Sequence, residues 1–249
     1  LPQPANGSSI DALQSTIMNQ AQFRKFPTYN SALFNFVVDV EAGSAKRAGI
    51  RWYEFRQTTD GGPWSMEQEG TYTAPDGRHA WMGSMAMDNQ GNIGMGYTTM
   101  AGPDTPNPTQ NRVSAAYTGR LSTDPSGVMT VEETIFGAST GNINGNRFGD
   151  YAKLDVDPNN DNEFWFITEY RFTNHVAVFK VAPEATLDMG VVDIVQPENG
   201  DLGATENITV TVRNFGLDTQ TDIPVSFTID GGTTISEVIA GPITPGSNF

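Results

Sequence analysis

Short apolar runs, broken at close intervals by turn-forming residues, constrain this chain more than any other feature. In residues 32–40, Phe34, Phe36 and Val38 alternate with polar residues such as Asn35, which is the pattern of a half-buried strand. Gly and Pro together make up about one residue in six, compared with about one in eight in average proteins. Because no helical segments are interleaved with the strands, the sequence predicts an all-β chain with antiparallel sheets.

One segment near the start has the spacing of a helix instead. Within residues 9–23, Ile10, Leu13 and Ile17 recur at helical intervals, and Ser9 can cap the first turn. We expect one helix there, followed only by strands. The strands of the first part of the chain are predicted at 32–40, 48–57, 64–72, 81–87, 92–98, 112–118, 128–136, 163–170 and 175–181.

Turns of one pattern suggest that these strands form repeated units. Asp88, Asp124 and Asp157 each begin an Asp-x-x-Gly or Asp-x-x-Asn turn, at spacings of 36 and 33 residues. A β-propeller blade has a similar length, about 40 to 50 residues. Residues 1–183 are therefore predicted to form part of an antiparallel β-propeller, with two to three blades where closed propellers use at least about four. We expect the missing blades to come from chain before Leu1, from a partner or from a second copy, and the segment alone to be insoluble or oligomeric.

The composition changes near residue 183. Residues 184–249 contain no Trp or Tyr, and Ile208, Val210 and Val212 alternate with polar residues. This alternation is typical of a sheet in a β-sandwich. The segment offers about four strands where an immunoglobulin fold uses about seven. Residues 184–249 are therefore predicted to begin an immunoglobulin-like β-sandwich that is incomplete.

The residues that the chain lacks exclude several classes of site. It has no cysteine, which excludes disulfides, thiol catalysis and cysteine-ligated metals. It has two histidines, His79 and His175, too few for a multi-histidine zinc site. No nucleotide-binding glycine motif or hydrolase nucleophile elbow occurs. The net charge of −15 disfavours nucleic acid as a partner, and no apolar run is long enough for membrane insertion.

Several motifs resemble those of known secreted proteins. The motifs are GIRWYEFR at 49–56, GTYTAPDGRHAWMGSMAMDNQGNIGMGY at 70–97, AAYTGR at 115–120 and RFGDYAKLDVDPNNDNEFWFITEY at 147–170. They resemble a family of large bacterial β-propeller proteins, common in the Bacteroidetes and loosely similar to sialidase-type propellers with Asp-box turns. Residues 188–232 look like the cell-adhesion-related, CARDB-type immunoglobulin-like domain. The resemblance implies a secreted or cell-surface protein of a Gram-negative bacterium, exported by type IX secretion. It implies no reaction.

The densest acidic run is a candidate calcium site. Side chains with oxygen ligands alternate there, at Asp155, Asp157, Asn159, Asp161 and Glu163. The run is not an EF-hand, because Asn160 and Phe166 stand where that loop has its glycine and its bidentate glutamate. The alternative is a hairpin in which Asp157 caps its own turn by accepting backbone N–H bonds. Calcium is the one cofactor that the sequence suggests.

A sialidase-like hydrolase would need arginines that clamp a carboxylate, a tyrosine activated by a glutamate, and an aspartic acid. The residues available for these roles are Arg51, Arg112, Arg120, Arg147, Tyr117, Glu54 and Asp150. The alternative is that Arg51 and Arg147 pair with acidic neighbours at blade edges. No catalytic residue is assigned, because the sequence does not place these groups together. Arg112, Arg147 and Trp64 are candidate ligand-binding residues.

The four tryptophans are either sugar-stacking platforms or core residues. Trp52, Trp81 and Trp165 lie between apolar neighbours in predicted strands and are assigned to the core. Trp64 follows a Gly-Pro pair and is the better surface candidate. His79 is expected to be an exposed turn residue.

These features together predict a secreted or surface-displayed, non-enzymatic module that acts in binding, adhesion or structure, as a fragment of a larger type IX-secreted protein. The alternative is the propeller portion of an extracellular hydrolase that processes glycans or peptides. The expected partners are the rest of the same polypeptide or another subunit, which would complete the propeller, and a glycan or surface protein.

Overall fold

The computed structural model describes residues 1–42, 46–171, 173–183, 185–198, 200, 203 and 205–249. They form two compact units, Leu1–Ala182 and Pro183–Phe249. Position 184, where the second predicted domain begins, lies outside the described residues. The regular elements of the described chain are strands and two short 3-10 turns, Pro75–Gly77 and Pro108–Gln110, which confirms an all-β chain with antiparallel sheets. No helix in the described residues is long and apolar enough to cross a membrane.

The strands described in the first unit form three antiparallel meanders. The first sheet contains β1 (Gln22–Lys25), β2 (Asn30–Asp39), β3 (Ala48–Gln57) and β4 (Ser65–Tyr72), in that order. The second contains β5 (His79–Met87), β6 (Ile93–Met100), β7 (Ser114–Arg120) and β8 (Val131–Gly137). The third contains β9 (Lys153–Val156), β10 (Phe164–Tyr170) and β11 (Thr173–Phe179). The nine predicted runs each overlap one of these strands, whereas β1 and β9 are not predicted.

The first and second sheets pack face to face, because each turns one apolar face towards the other. Leu33, Ile50 and Trp52 of the first sheet lie in one buried cluster with Met95 and Tyr97 of the second. Trp52 and Tyr97 are fully buried. Removing an apolar side chain from water contributes about 1.5 to 3 kcal/mol, so this cluster is a principal source of stability for the stack.

The second and third sheets pack through glycines. Gly94 and Gly96 lie on the face of β6 that points away from the first sheet, opposite Phe164 and Phe166 of β10. A Cβ atom at Gly96 would lie 2.3 Å from the ring of Phe166. These glycines therefore allow close approach of two layers rather than a turn.

The predicted helix at residues 9–23 is wrong. Leu13 and Ser15 have positive φ angles of 47° and 65°, which a right-handed helix does not allow. The N–H groups of Ser15 and Met18 donate to backbone carbonyls of β2, at 3.1 and 2.9 Å. Pairing along β2 thus satisfies backbone groups that the helix would have satisfied internally, and it leaves Ile17 exposed.

The second unit contains two small antiparallel sheets in its described residues. They are formed by β12 (Met189–Gln196) with β13 (Thr209–Asn214), and by β14 (Ile223–Phe227) with β15 (Ile235–Ile239). Phe249 and Val212 exchange backbone hydrogen bonds of 2.8 and 3.0 Å, so the last residues extend the first of these sheets. The buried apolar residues of the second unit include Val212, Ile223 and Ile243, which make up its small core.

Candidate functional site

The turn between β9 and β10 holds most of the acidic run. The Asp157 carboxylate accepts the N–H of Asn159 at 2.8 Å, and the N–H of Asp161 donates to the Asp157 carbonyl at 2.8 Å. The prediction that Asp157 caps its own turn is confirmed. Such a local cap is enough to explain an aspartate at this position.

The other carboxylates of the acidic run face cations of the protein. Asp155 lies 3.0 Å from the Lys153 ammonium, and Glu163 lies 3.4 Å from that of Lys180. Asp161 forms a salt bridge with Arg24 of β1. In the part of the chain that the structure describes, no three His, Asp or Glu side chains form a group that could hold a metal ion. Calcium binding here stays a prediction, and the ion would have to displace these cations.

The candidate arginines lie in separate interactions. Arg51 forms a salt bridge with Glu69, and Arg147 forms one with Asp150. Their predicted pairing with acidic neighbours is confirmed, although Arg51 lies on β3, an inner strand of the first sheet, rather than at an edge. Arg112 and Arg120 instead donate to backbone carbonyls. Arg112 donates to the carbonyls of Thr109 and Pro4, at 2.9 and 3.1 Å. Arg120 donates to the carbonyls of Asp124, Pro125 and Val128, at 2.7, 3.2 and 3.2 Å. These bonds fix loops.

Tyr117 and Glu54 are not paired with each other. The Tyr117 ring stacks on Phe179 with 3.9 Å between centroids, so it belongs to the packing between the second and third sheets. Glu54 is fully buried in the first sheet. Its carboxylate accepts hydrogen bonds from Gln68 and Arg56, both at 2.6 Å. A buried carboxylate needs such partners to remain stable.

The tryptophans divide differently from the prediction. Trp52 and Trp81 are fully buried, which confirms their assignment to the core. Trp165 is 48% exposed, so its core assignment is wrong, because its neighbours Phe164 and Phe166 occupy the inward positions of β10. Trp64 is exposed as predicted.

A buried cluster that the sequence did not reveal joins the first and second sheets. Glu133 of β8 forms a salt bridge with Arg78 and accepts a hydrogen bond from the Tyr97 hydroxyl. The Tyr97 hydroxyl lies 2.7 Å from that of Tyr72. The acidic residue within the apolar alternation of the predicted strand 128–136 was the available signal. Its partners Arg78 and Tyr97 lie at other strands of the same sheet, and no local pattern encodes which strands come together.

This cluster resembles the tyrosine, glutamate and arginine of a hydrolase in composition but differs in its electrostatics. Burial raises the pKa of Tyr72 to about 12 and that of Tyr97 well above its ordinary value. Both hydroxyls therefore keep their protons at neutral pH. The arrangement suits a hydrogen-bonded tie between sheets better than a tyrosine nucleophile.

A cleft of about 460 Å³ opens beside the first residue of β5. Its walls include Lys46, His79 and the prolines Pro2, Pro4, Pro103 and Pro108. His79 is 1% exposed, so the prediction of an exposed turn residue is wrong. Its Nδ1 accepts the N–H of Ala48 at 3.1 Å, which leaves the proton on Nε2. Burial lowers the pKa of His79 to about 4, so the imidazole is neutral at pH 7.

Comparisons with protein-family models, with curated proteins and with solved structures found no match to this chain. The resemblances noted in the sequence therefore stay predictions.

Proposed function

We propose that this chain is a non-enzymatic binding, adhesion or structural module of a larger protein that is secreted or displayed on the surface of a Gram-negative bacterium by type IX secretion. Residues 1–183 are the partial β-propeller of this proposal, and residues 184–249 begin its immunoglobulin-like domain. The observation that carries it is the stack of three antiparallel meanders. In the described residues these sheets have four, four and three strands and pack face to face, which is similar to neighbouring propeller blades, whose sheets usually have four strands.

The charged residues support a structural role for the stack. Arg24 joins β1 to the turn that holds Asp161, and Arg78 joins the start of β5 to Glu133 on β8. Both contacts hold separate strands or sheets together. Trp64 is the proposed contact for a glycan, because its exposed indole can stack on a sugar ring, with Arg112 and Arg147 as further candidates.

Parallel assays of binding and turnover test this proposal. The purified chain is applied to an array of sialylated and neutral glycans, and is incubated with chromogenic sialosides, other glycosides and casein. We expect glycan binding that Trp64→Ala abolishes, with no turnover. The matched control is Val128→Ala, an exposed apolar residue of another loop, which should bind as wild type does. Absence of binding would contradict the glycan contact, and turnover above a protein-free blank would contradict the non-enzymatic role.

The second candidate function is the propeller portion of an extracellular glycan- or peptide-processing hydrolase. The contact of Glu133 with Arg78 and Tyr97 is the observation that favours it. If turnover is found, Glu133→Gln should abolish it, while Glu132→Gln, which changes the exposed neighbour, should not.

Calcium is a further proposed ligand, at Asp155, Asp157, Asn159, Asp161 and Glu163. The support is that Asp157, Asn159 and Asp161 share one turn and carry the oxygen ligands that calcium prefers.

A further inference from the structure

The cleft beside the start of β5 has walls that the surrounding chain holds in place. Its volume of about 460 Å³ lies within the range of about 300 to 1,000 Å³ that is typical of small-molecule sites. On one wall, the Pro4 carbonyl accepts hydrogen bonds from Arg112 at 3.1 Å and from Asn142 at 2.7 Å. On another wall, the N–H of Gly102 donates to the Thr105 hydroxyl at 2.8 Å. These bonds fix the shape of the cleft before any ligand binds.

His79 supplies a hydrogen-bond donor to this cleft. Because its Nδ1 accepts the N–H of Ala48 at 3.1 Å, the proton of the neutral ring is on Nε2. In the described residues Nε2 makes no hydrogen bond, yet it is not among the fully enclosed atoms that lack one. It is therefore open to the cleft that His79 lines. His79 is otherwise buried, and a buried N–H without an acceptor is destabilising, so an acceptor that enters the cleft gains a prepared partner.

The charges around the cleft favour an anionic acceptor. Among the described residues that line it, Lys46 supplies a cation and none supplies a carboxylate, although the whole chain has a net charge of −15. The Lys46 ammonium lies 2.7 Å from the carboxylate of Asp39. This contact uses one of its three N–H donors, so two donors stay available to a ligand. A carboxylate can accept from both Lys46 and His79.

The rest of the lining suits an aromatic ring better than a sugar. Gln3 is the one uncharged amide or hydroxyl side chain among the described lining residues. Its amide is already used, because it donates to the carbonyls of Ser8 and Ile143 and accepts the N–H of Ile143. Sugar hydroxyls would therefore find few side-chain partners. Proline rings present C–H groups, which pack favourably on the negatively polarised face of an aromatic ring. The four prolines of the lining are Pro2, Pro4, Pro103 and Pro108.

We infer that this cleft binds a small aromatic carboxylate, with the carboxylate between the Nε2–H of His79 and the ammonium of Lys46 and with the ring among the prolines. The site goes beyond the proposed function, whose glycan contact is Trp64 in another loop. Because neither site needs the other, the two proposals can fail separately.

Ligand-observed NMR titrations of the full 249-residue chain test the inference, with 2-naphthoate as the probe. We expect saturable binding with a Kd of about 1 mM or below. The amide of the same ring system, 2-naphthamide, has no charge and should bind at least about tenfold more weakly. Acetate has no ring and should not displace the probe.

Substitutions of the two donors test their roles. His79→Asn keeps an acceptor for the N–H of Ala48 and removes the donor at the cleft, so it should raise the Kd about tenfold or more. Lys46→Met keeps the aliphatic stem and should raise the Kd about two- to fivefold, because an exposed charge contributes less. The matched control is Lys25→Met. The Lys25 side chain is 63% exposed and paired with Asp60, as that of Lys46 is 66% exposed and paired with Asp39, and the control should bind as wild type does. Circular dichroism shows whether each variant folds.

Thiol protection locates the probe without changing either donor. Because the chain has no cysteine, only an introduced thiol reacts with a maleimide. In Pro103→Cys, which places a thiol in the lining, saturating 2-naphthoate should slow this reaction. In Val128→Cys, at an exposed position of another loop, it should not. This measurement decides the matter even if His79→Asn does not fold.

Five results would overturn the inference. They are no saturable binding of 2-naphthoate, equal affinity for the acid and its amide, wild-type affinity in a folded His79→Asn variant, equal effects of Lys46→Met and Lys25→Met, and a Pro103→Cys thiol that reacts equally fast with and without the probe.

Discussion

Gly96→Ala tests how closely the second and third sheets pack. A Cβ atom at this position would lie 2.3, 2.4 and 2.5 Å from three ring atoms of Phe166, so either the ring or the strand must move. Overpacking of this kind costs about 1 to 3 kcal/mol. Alanine also restricts the unfolded chain, which stabilises the fold by about 0.4 to 1 kcal/mol. The overpacking cost is larger, and we expect a net loss of about 1 to 2 kcal/mol.

Scanning calorimetry measures this loss. In a unit of about 180 residues, each 1 kcal/mol lowers Tm by about 2 to 4 °C, so the expected decrease is about 2 to 8 °C. The control is Gly141→Ala in a loop of the same unit. The nearest atom to a Cβ there is the guanidinium end of Arg171, at 3.2 Å, which can move aside. The control should melt within a degree or so of wild type.

A double-mutant cycle identifies the atoms responsible. Phe166→Leu removes the ring that the new methyl group would meet. In that background Gly96→Ala should cost less, with a coupling energy of about 0.5 kcal/mol or more. An unchanged or higher Tm for Gly96→Ala, or the same loss with and without the ring, would refute the close packing of Gly96 on Phe166.

Four further predictions follow from the charges and titrating groups. Glu133→Gln leaves the buried Arg78 without its charged partner and should lower the free energy of unfolding by about 3 to 5 kcal/mol. Asp60→Asn changes an exposed salt bridge and should leave Tm unchanged. Equal effects of the two changes on Tm would contradict a stabilising role for the buried pair. Burial lowers the pKa of His79 from 6.5 to about 4. Between these pH values the folded state therefore binds fewer protons at His79 than the unfolded state does. About 3 kcal/mol of stability that is present above pH 6.5 should be lost as the pH falls towards 4. His79→Gln should reduce this slope in pH-dependent denaturation, and an unchanged slope would refute the assignment. If calcium binds at 155–163, the protein gains about 2.7 kcal/mol at a hundredfold excess over Kd, and equal Tm values in chelator and in millimolar calcium would refute binding. Self-repulsion at a net charge of −15 predicts a higher Tm at about 0.1 M salt than at low salt, and a decrease in calorimetry would show that attractive pairs dominate.

The strands of the first unit were predictable because their signal is local. Alternation within β2 and β3 and the turn residues between them are visible without knowledge of the partner strand. The strands β1 and β9 are only four residues long, too short to show a period. The helix predicted at 9–23 is wrong for a different reason. Its apolar residues have helical spacing, but the backbone of the segment forms hydrogen bonds with β2 instead of within a helix.

The candidate site was less predictable, because it depends on contacts between residues far apart in the sequence. Glu133, Arg78 and Tyr97 are separated by up to 55 residues in sequence, and they meet because β5, β6, β7 and β8 pair in one sheet. His79 looked exposed because it follows a Pro-Asp-Gly turn, yet it is the first residue of β5 and buried. The turn residues thus predicted the position of the loop correctly, but they did not predict that the residue after it is buried.

The wrong core assignment of Trp165 comes from a pattern that β10 shares with β3. Both strands carry large apolar residues on each of their two faces. In β3 these residues are Trp52 and Tyr53, and in β10 they are Phe166 and Trp165. A strand in a two-layer protein needs only one apolar face, because the other meets water. Bulk on both faces is expected when a layer lies on each side. In the described stack the second sheet covers Trp52 and Phe166, whereas Tyr53 is half-buried and Trp165 is 48% exposed. Apolar residues on both faces of β10 therefore could not show from the sequence alone which face lies inward.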